Sequence, residues 1–233
     1  MVEIIKSVFD RYNIIYKEEQ IVKLAKFYEM LIRENEKYNL TSITDPYNVA
    51  TKHFLDCVLI QDLFKPNATV ADIGCGAGFP SIPLKIMRPD LQFALVDSLG
   101  KRIKFLEMVI NELELTNMLC FHVRCEDFAQ TEMRESFDHV TARAVANLPT
   151  LLEYCMPFVK VGGTAILMKA KSANDEIGES KNAFDLMKSR LVEVFEYEFD
   201  ELVSRRAALV IGKYGIIDKK YPRAKGTPQK NPL

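Results

Sequence analysis

The stretch Val70-Ala71-Asp72-Ile73-Gly74-Cys75-Gly76-Ala77-Gly78-Phe79-Pro80 constrains the fold most, because an apolar run fit for a buried strand enters a glycine-rich turn and leaves it toward a helix. In an open α/β sheet such a turn is where a nucleotide-like cofactor is held. A dinucleotide fingerprint, G-x-G-x-x-G, would need its third glycine at position 79, which is Phe79. Pro80 also lacks the N–H that would meet a pyrophosphate at the helix start. Asp72, just ahead of the turn, repels an anion and suits a cation. S-adenosylmethionine (SAM) has no phosphate and carries a sulfonium and an ammonium, so the motif, with Gly74 and Gly76 at its centre, favours SAM over NAD.

Two further acids extend the pattern. Asp97 ends the next apolar run, where a carboxylate can accept the hydroxyl hydrogens of a cofactor ribose. NAD enzymes use the same geometry, so this position alone does not discriminate. Cys125-Glu126-Asp127 follow the third run and offer an edge for adenine, although either acid would serve equally as the N-cap of a short helix.

Around the motif, short apolar runs alternate with amphipathic stretches. Strands are expected at Thr69–Ile73, Phe93–Asp97, Met118–Val123, Phe137–Thr141 and Thr164–Lys169, with helices at about 80–88, 101–114 and 148–160. This repetition predicts an α/β fold with a parallel sheet wrapped by helices. A helix over 174–190 then precedes strands Val192–Phe199 and Ala207–Lys213, which are expected to pair antiparallel. The first 66 residues read as a helical segment. Ile21, Leu24, Ala25, Tyr28, Leu31 and Ile32 share one helix face, and Asp45-Pro46 opens a helix carrying Val49, Phe54, Val58 and Leu59 inward. The expected organisation is helices over 1–66, a SAM-binding domain over 67–214, and a basic, Pro-rich tail over 215–233.

Composition narrows the class of partner. Five cysteines without a C-x-x-C pair and three scattered histidines argue against a disulfide framework and a zinc knuckle, so no metal is expected. Glu3 and Lys6 interrupt any apolar leader and no apolar run is long enough to span a bilayer, so a cytoplasmic, membrane-free protein is expected. Five of the 31 basic residues and none of the 32 acidic ones lie in 219–233. Such a tail adds phosphate contacts to RNA by counterion release, or is simply solvated.

The acceptor is narrowed by elimination. Enzymes that methylate exocyclic amines usually carry an N-P-P-Y-like turn after the fourth strand, where this chain has Thr141-Ala142-Arg143-Ala144. Cytosine C5 methylation needs a cysteine nucleophile, often in a Pro-Cys pair, and no Pro-Cys occurs. Acceptors that need no deprotonation remain, guanine N7 among them, and for these alignment counts for more than a general base.

The chain resembles the RsmG (GidB) family of bacterial small-subunit rRNA guanine-N7 methyltransferases over nearly its whole length. The resemblance rests on Lys37-Tyr38-Asn39-Leu40-Thr41, Lys52-His53-Phe54-Leu55-Asp56, Gly78-Phe79-Pro80-Ser81-Ile82-Pro83-Leu84, Asp97-Ser98-Leu99-Gly100-Lys101-Arg102, Thr141-Ala142-Arg143-Ala144 and Lys220-Tyr221-Pro222-Arg223. It implies a Rossmann-like class I SAM-dependent methyltransferase sheet, SAM contacts at Gly74, Phe79, Cys125, Glu126 and Arg143, and a guanine of 16S rRNA in the small ribosomal subunit as acceptor. The contact at Cys125 would be through backbone. Lys52, His53, Lys169 and Arg223 are candidates to face RNA, each with a bland alternative in packing, capping or solvation. Two other readings stand beside this one: a SAM-dependent enzyme acting on a small molecule, and an RNA-binding assembly protein with a vestigial cofactor pocket.

Overall fold

The computed structural model describes residues 1–169, 173–198 and 206–233. The chain opens with α1 (Val2–Arg11) and α2 (Glu18–Tyr38). Helix α2 starts where Gln20 Oε1 accepts the Lys17 N–H and stops where Asn39 turns left-handed, at φ 49°. Asp45 caps α3 (Pro46–Val49) through the Asn48 N–H, with Pro46 at its first position, as the sequence predicts. The helix then widens into a π-turn over Ala50–Leu55 before α4 (Asp56–Val58), and the turn carries Lys52 and His53.

The rest alternates as the pattern requires: β1 (Thr69–Ile73), α5 (Ser81–Met87), β2 (Gln92–Asp97), α6 (Gly100–Glu112), β3 (Met118–His122), α7 (Cys125–Phe128), β4 (Phe137–Arg143), α8 (Leu148–Cys155) and β5 (Val159–Lys169). Helices α9 (Ala173–Glu179) and α10 (Lys181–Leu186) precede β6 (Ser189–Tyr197) and β7 (Arg206–Lys213), and α11 (Thr227–Lys230) lies near the C-terminus. One seven-stranded sheet runs in the order β3-β2-β1-β4-β5-β7-β6. Strands β1 to β5 are parallel, and β7 pairs antiparallel with both β5 and β6. The order reverses between β1 and β4, the position at which an open sheet leaves a crevice.

Strand alternation supplies two cores. Val70, Phe93, Leu95 and Ile166 face one layer, with α1, α2, α5, α6 and the π-turn. Ala71, Ile73, Ala94, Val96, Ala165 and Leu167 face the other, with α8 and α10. Apolar residues on both faces of each strand are what a parallel sheet buried on both sides demands. The N-terminal helices share a single cluster with α5 and α6.

Several boundaries differ from expectation. The helix expected over 148–160 ends at Cys155 because Pro157 cannot continue it, and β5 begins five residues early, at Val159. The helix expected over 174–190 is divided at buried Ser180, whose hydroxyl donates to the Glu176 carbonyl. Strand β6 starts at Ser189, and its expected last residue, Phe199, lies outside the described residues.

The end of the chain does not form a solvated tail. Ile217, Tyr221 and Pro228 are buried. Arg134 donates to the Tyr221, Ile217 and Asp218 carbonyls, and Thr150 Oγ1 donates to the Pro228 carbonyl. Residues 217–231 therefore strap across the α8 face.

Candidate active site

Beyond the C-terminal ends of β1, β2 and β4 lies a cavity of about 280 Å³ lined by Gly74, Asp97, Ser98, Cys125, Glu126 and Gln229 among others. Its floor is the glycine turn. Gly74 has φ +72°, and a Cβ there would stand 2.8 Å from Val145 Cγ2, so only glycine lets the turn pass beneath the β4 loop. Asp97 is 4% exposed, and its carboxylate clamps the turn by accepting from the Gly76 N–H (3.0 Å), the Leu99 N–H (2.9 Å) and Arg102 (3.1 Å). Glu126 is held differently. Its Oε1 accepts from the Gly226 N–H (3.2 Å) and its Oε2 from the Cys125 thiol (3.3 Å). Burial, and then the charge of Glu126, push the Cys125 thiol far up, so it stays a neutral donor.

The structure thus brings Gly74, Asp97, Cys125 and Glu126 onto one wall. Asp72, Gly76, Phe79 and Arg143 support the site from outside that wall. Asp72 is fully buried under the turn, accepts the Ser81 hydroxyl on Oδ2 and has no partner for Oδ1 among the described residues. Burial raises its pKa to about 7, so near neutral pH the negative charge expected of it is only partly present. The Phe79 ring packs in the core, stacked 4.3 Å from His53 and against Phe27 and Phe54.

Arg143, the last residue of β4, reaches toward the N-terminal helices. Its Nη2 donates to the Lys52 carbonyl (2.7 Å) and to His53 Nδ1 (3.3 Å), and pairs with Asp56 Oδ2 (3.1 Å). Tyr197 donates to Asp56 Oδ1 (2.9 Å), and the guanidinium stands 5.8 Å over the Phe79 ring. His53 Nδ1 also stands 3.2 Å from the Lys52 carbonyl, and its Nε2 is 2.9 Å from Thr41 Oγ1. Burial, reinforced by Arg143, lowers the His53 pKa to about 3, so the ring is neutral.

Asp56, Arg143 and Tyr197, with Met168, Lys169, Glu176 and Arg206, border a second cavity of about 370 Å³ that shares Ala144 and Ala146 with the first. Ala144 holds φ +55°, a left-handed conformation that costs a residue with a Cβ about 1–2 kcal/mol. Strain of this kind collects at functional walls.

The candidates for RNA contact fare less well. His53 is buried, Lys169 is paired with Glu176 at 2.6 Å, and Arg223 is clamped onto fully buried Glu153. Lys52 is half-buried and meets Arg143 through its carbonyl. Arg223 and Lys169 are therefore structural cations. Sequence reasoning missed Asp56 as a partner of Arg143, Tyr197 and Arg206 on the last strands, and Gln229, which reaches the first cavity from the strap. Asp56 lay inside a recognised motif, whereas nothing local marks Gln229.

The first cavity fits SAM on chemical grounds. Its fixed carboxylates suit ribose hydroxyls and an adenine amine, and Arg102 on its wall is already paired with Asp97. Among the described residues no group of three or more His, Cys, Asp or Glu side chains stands together as a metal would need, and no helix is long and apolar enough to cross a membrane.

Sheet order, glycine turn and paired acids define a Rossmann-like, SAM-dependent methyltransferase. A SAM-dependent methyltransferase from Aquifex aeolicus superposes with a TM-score of 0.53 at 16% identity, covering 72% of this chain and 93% of that one. TYW2 of M. jannaschii, solved in complex with AdoMet, superposes with 0.54 at 15% identity, covering 68% and 73%. The family profile GidB, rRNA small subunit methyltransferase G, matches residues 20–203. Proteins named ribosomal RNA small subunit methyltransferase G are 42% identical in Lactobacillus johnsonii, over 99% of both chains, and 44% identical in Geobacillus kaustophilus, over 98% of this chain and 97% of that one. The chain belongs to the rRNA small subunit methyltransferase G family.

Three outcomes are expected from this geometry. Gly74→Ala should weaken S-adenosylhomocysteine binding at least tenfold by calorimetry while unfolding stays cooperative; an unchanged Kd would remove Gly74 from the cofactor wall. Arg223→Ala leaves Glu153 buried and unpaired, which should cost about 3–5 kcal/mol in urea unfolding; a loss under 1 kcal/mol would mean that the strap is not anchored there.

The third outcome concerns pH. The pKa values of His53 and His139 fall from 6.5 to about 3 and about 4, both chiefly through burial, while that of Asp72 rises from 3.8 to about 7. Between pH 4 and 6.5 the unfolded chain binds the two histidine protons that the native protein refuses, and the native protein keeps the one Asp72 proton that the unfolded chain loses. The net effect is stability that rises with pH by roughly 1.4 kcal/mol per unit over that window. Asp72→Asn should steepen it. Urea midpoints that do not rise from pH 4.5 to 6.5 would contradict the assignment.

Proposed function

We infer that this enzyme transfers the methyl group of SAM to N7 of a guanine in the 16S rRNA of the small ribosomal subunit, and that it does so in the cytoplasm. Family membership supports the rRNA substrate. The observation that carries the choice of atom is that both carboxylates bordering the second cavity are already engaged: Asp56 holds Arg143 and Tyr197, and Glu176 holds Lys169 and the Leu148 N–H. Asp56 has no oxygen left for a general base, Glu176 keeps only Oε1 beside its ion pair with Lys169, and guanine N7 needs no base, since its lone pair lies free in the ring plane. When bound, SAM supplies a methyl group on a positively charged sulfur that such a lone pair can take directly.

In this reading the chain binds and aligns. Gly74, Gly76 and Asp97 set the turn against which the adenosyl part lies, and Cys125 and Glu126 form the adenine edge. Asp72 and Phe79 brace the turn from below, and Arg143 fixes the boundary between the two cavities. Exposed Arg124 on the first cavity's wall, with exposed Lys225 and Lys230 of the strap, takes over from Arg223 and Lys169 as the cations that meet RNA phosphates.

Small subunits from a strain lacking the modification, incubated with SAM and the protein, should gain a single N7-methylguanine in 16S rRNA. Borohydride reduction, aniline cleavage and primer extension read it out. Labelled methyl groups on another atom, or none in the presence of an active control enzyme, would overturn the assignment.

A further inference from the structure

The second cavity holds two groups whose bonding capacity the protein leaves open. Arg206 Nε is buried and has no hydrogen-bond partner among the described residues. A buried N–H without an acceptor is costly, and its persistence points to an acceptor supplied by a ligand. Glu176 is the second group. Its Oε2 accepts from Lys169 Nζ and from the Leu148 N–H, both at 2.6 Å, while its Oε1 has no hydrogen bond among the described residues. The carboxylate is thereby oriented by its own chain, with one oxygen left to receive donors.

A ligand matching this pair presents a carbonyl oxygen beside N–H donors. We propose that the cavity receives the target guanine base, read along its Watson–Crick edge: Arg206 Nε–H donates to O6, and Glu176 accepts from N1–H and the N2 amine. This rests on the guanine-N7 reading above and deepens it by naming the groups that select the base. The recognition leaves N7, on the other edge of the purine, without a protein donor competing for its lone pair. Ala144 and Ala146, small and common to both cavities, set a base in the second beside a cofactor in the first. Adenine is rejected by mismatch, because its N6 amine would meet the Arg206 N–H and its bare N1 would meet a carboxylate. The base must be unpaired to enter, since the edge that is read is the one used in a duplex.

The test uses atomic substitution. Small subunits are reconstituted with 16S rRNA carrying guanine, inosine or adenine at the target, and kcat/KM for methyl transfer is measured for the wild type, Glu176→Ala, Glu176→Gln and Arg206→Met. Inosine lacks only the N2 amine, so it should cost the wild type about tenfold, and that penalty should vanish in Glu176→Ala. With guanine, Glu176→Gln and Arg206→Met should each lose at least tenfold in kcat/KM while S-adenosylhomocysteine affinity stays within twofold. Glu176→Gln keeps an acceptor for the Leu148 N–H and so serves if the alanine variant unfolds. An inosine penalty that persists undiminished in the Glu176 variants, or variants that lose cofactor affinity in step with activity, overturns the base pocket while N7 methylation by the wild type stands. A wild type that marks no guanine N7 rejects the parent reading and the pocket together.

Discussion

The buried pairing of Arg143 with Asp56 is the interaction on which the two-cavity arrangement depends. A guanidinium at the end of β4 can leave water only if its charge is met, and Asp56, 1% exposed on α4, meets it. Asp56 is itself satisfied from the far side by Tyr197 on β6. Three parts of the chain that are distant in sequence thus converge on one charge, and the π-turn that supplies the Lys52 carbonyl and His53 is held against the glycine turn through Phe79. The N-terminal helices are in this sense part of the site. They fix the floor of the second cavity, although no atom of theirs has been assigned a chemical step.

The first cavity is preorganised by a different device. Each acid on its wall has its orientation set by donors of the chain itself: Asp97 by two backbone N–H groups and Arg102, and Glu126 by the Gly226 N–H and the Cys125 thiol. A ligand then meets carboxylates already turned toward it and gives up less free energy in ordering them. The Gly226 bond also ties the C-terminal strap to the wall of the first cavity, with Arg223 on Glu153 as its anchor.

What could be read from the sequence follows the range of the forces involved. Strand alternation and helix periodicity are local, and β1 and β2 fall within a residue of their expected bounds. The glycine turn and the acids after β2 and β3 are fixed by short spacings from the strands, so Gly74, Asp97, Cys125 and Glu126 could be named together. Roles set by distant partners could not. Arg223 looked like a free cation because its partner, Glu153, is 70 residues away. Lys169 has its partner, Glu176, close in sequence, but their pairing depends on how α9 docks. Asp72 was expected to act by charge, and burial alone changes that, a quantity no spacing encodes.

The protonation states around the second cavity bear on the chemistry. Burial pushes the Cys57 thiol up against the opposing charge of Arg143, the Tyr197 hydroxyl up with help from Asp56, and the His53 ring down to about 3 with help from Arg143. Near neutral pH these groups are fixed donors, acceptors or apolar surface, and poor partners for a proton in flight. An acceptor that had to lose a proton as it took the methyl group would find little help from them. An acceptor with a lone pair already in place asks only to be held in line with the donor, and rigid surroundings serve that need well. Asp72, with a pKa of about 7, lies beneath the glycine turn and off both cavity walls, where its proton can affect stability without standing in the path of the methyl group.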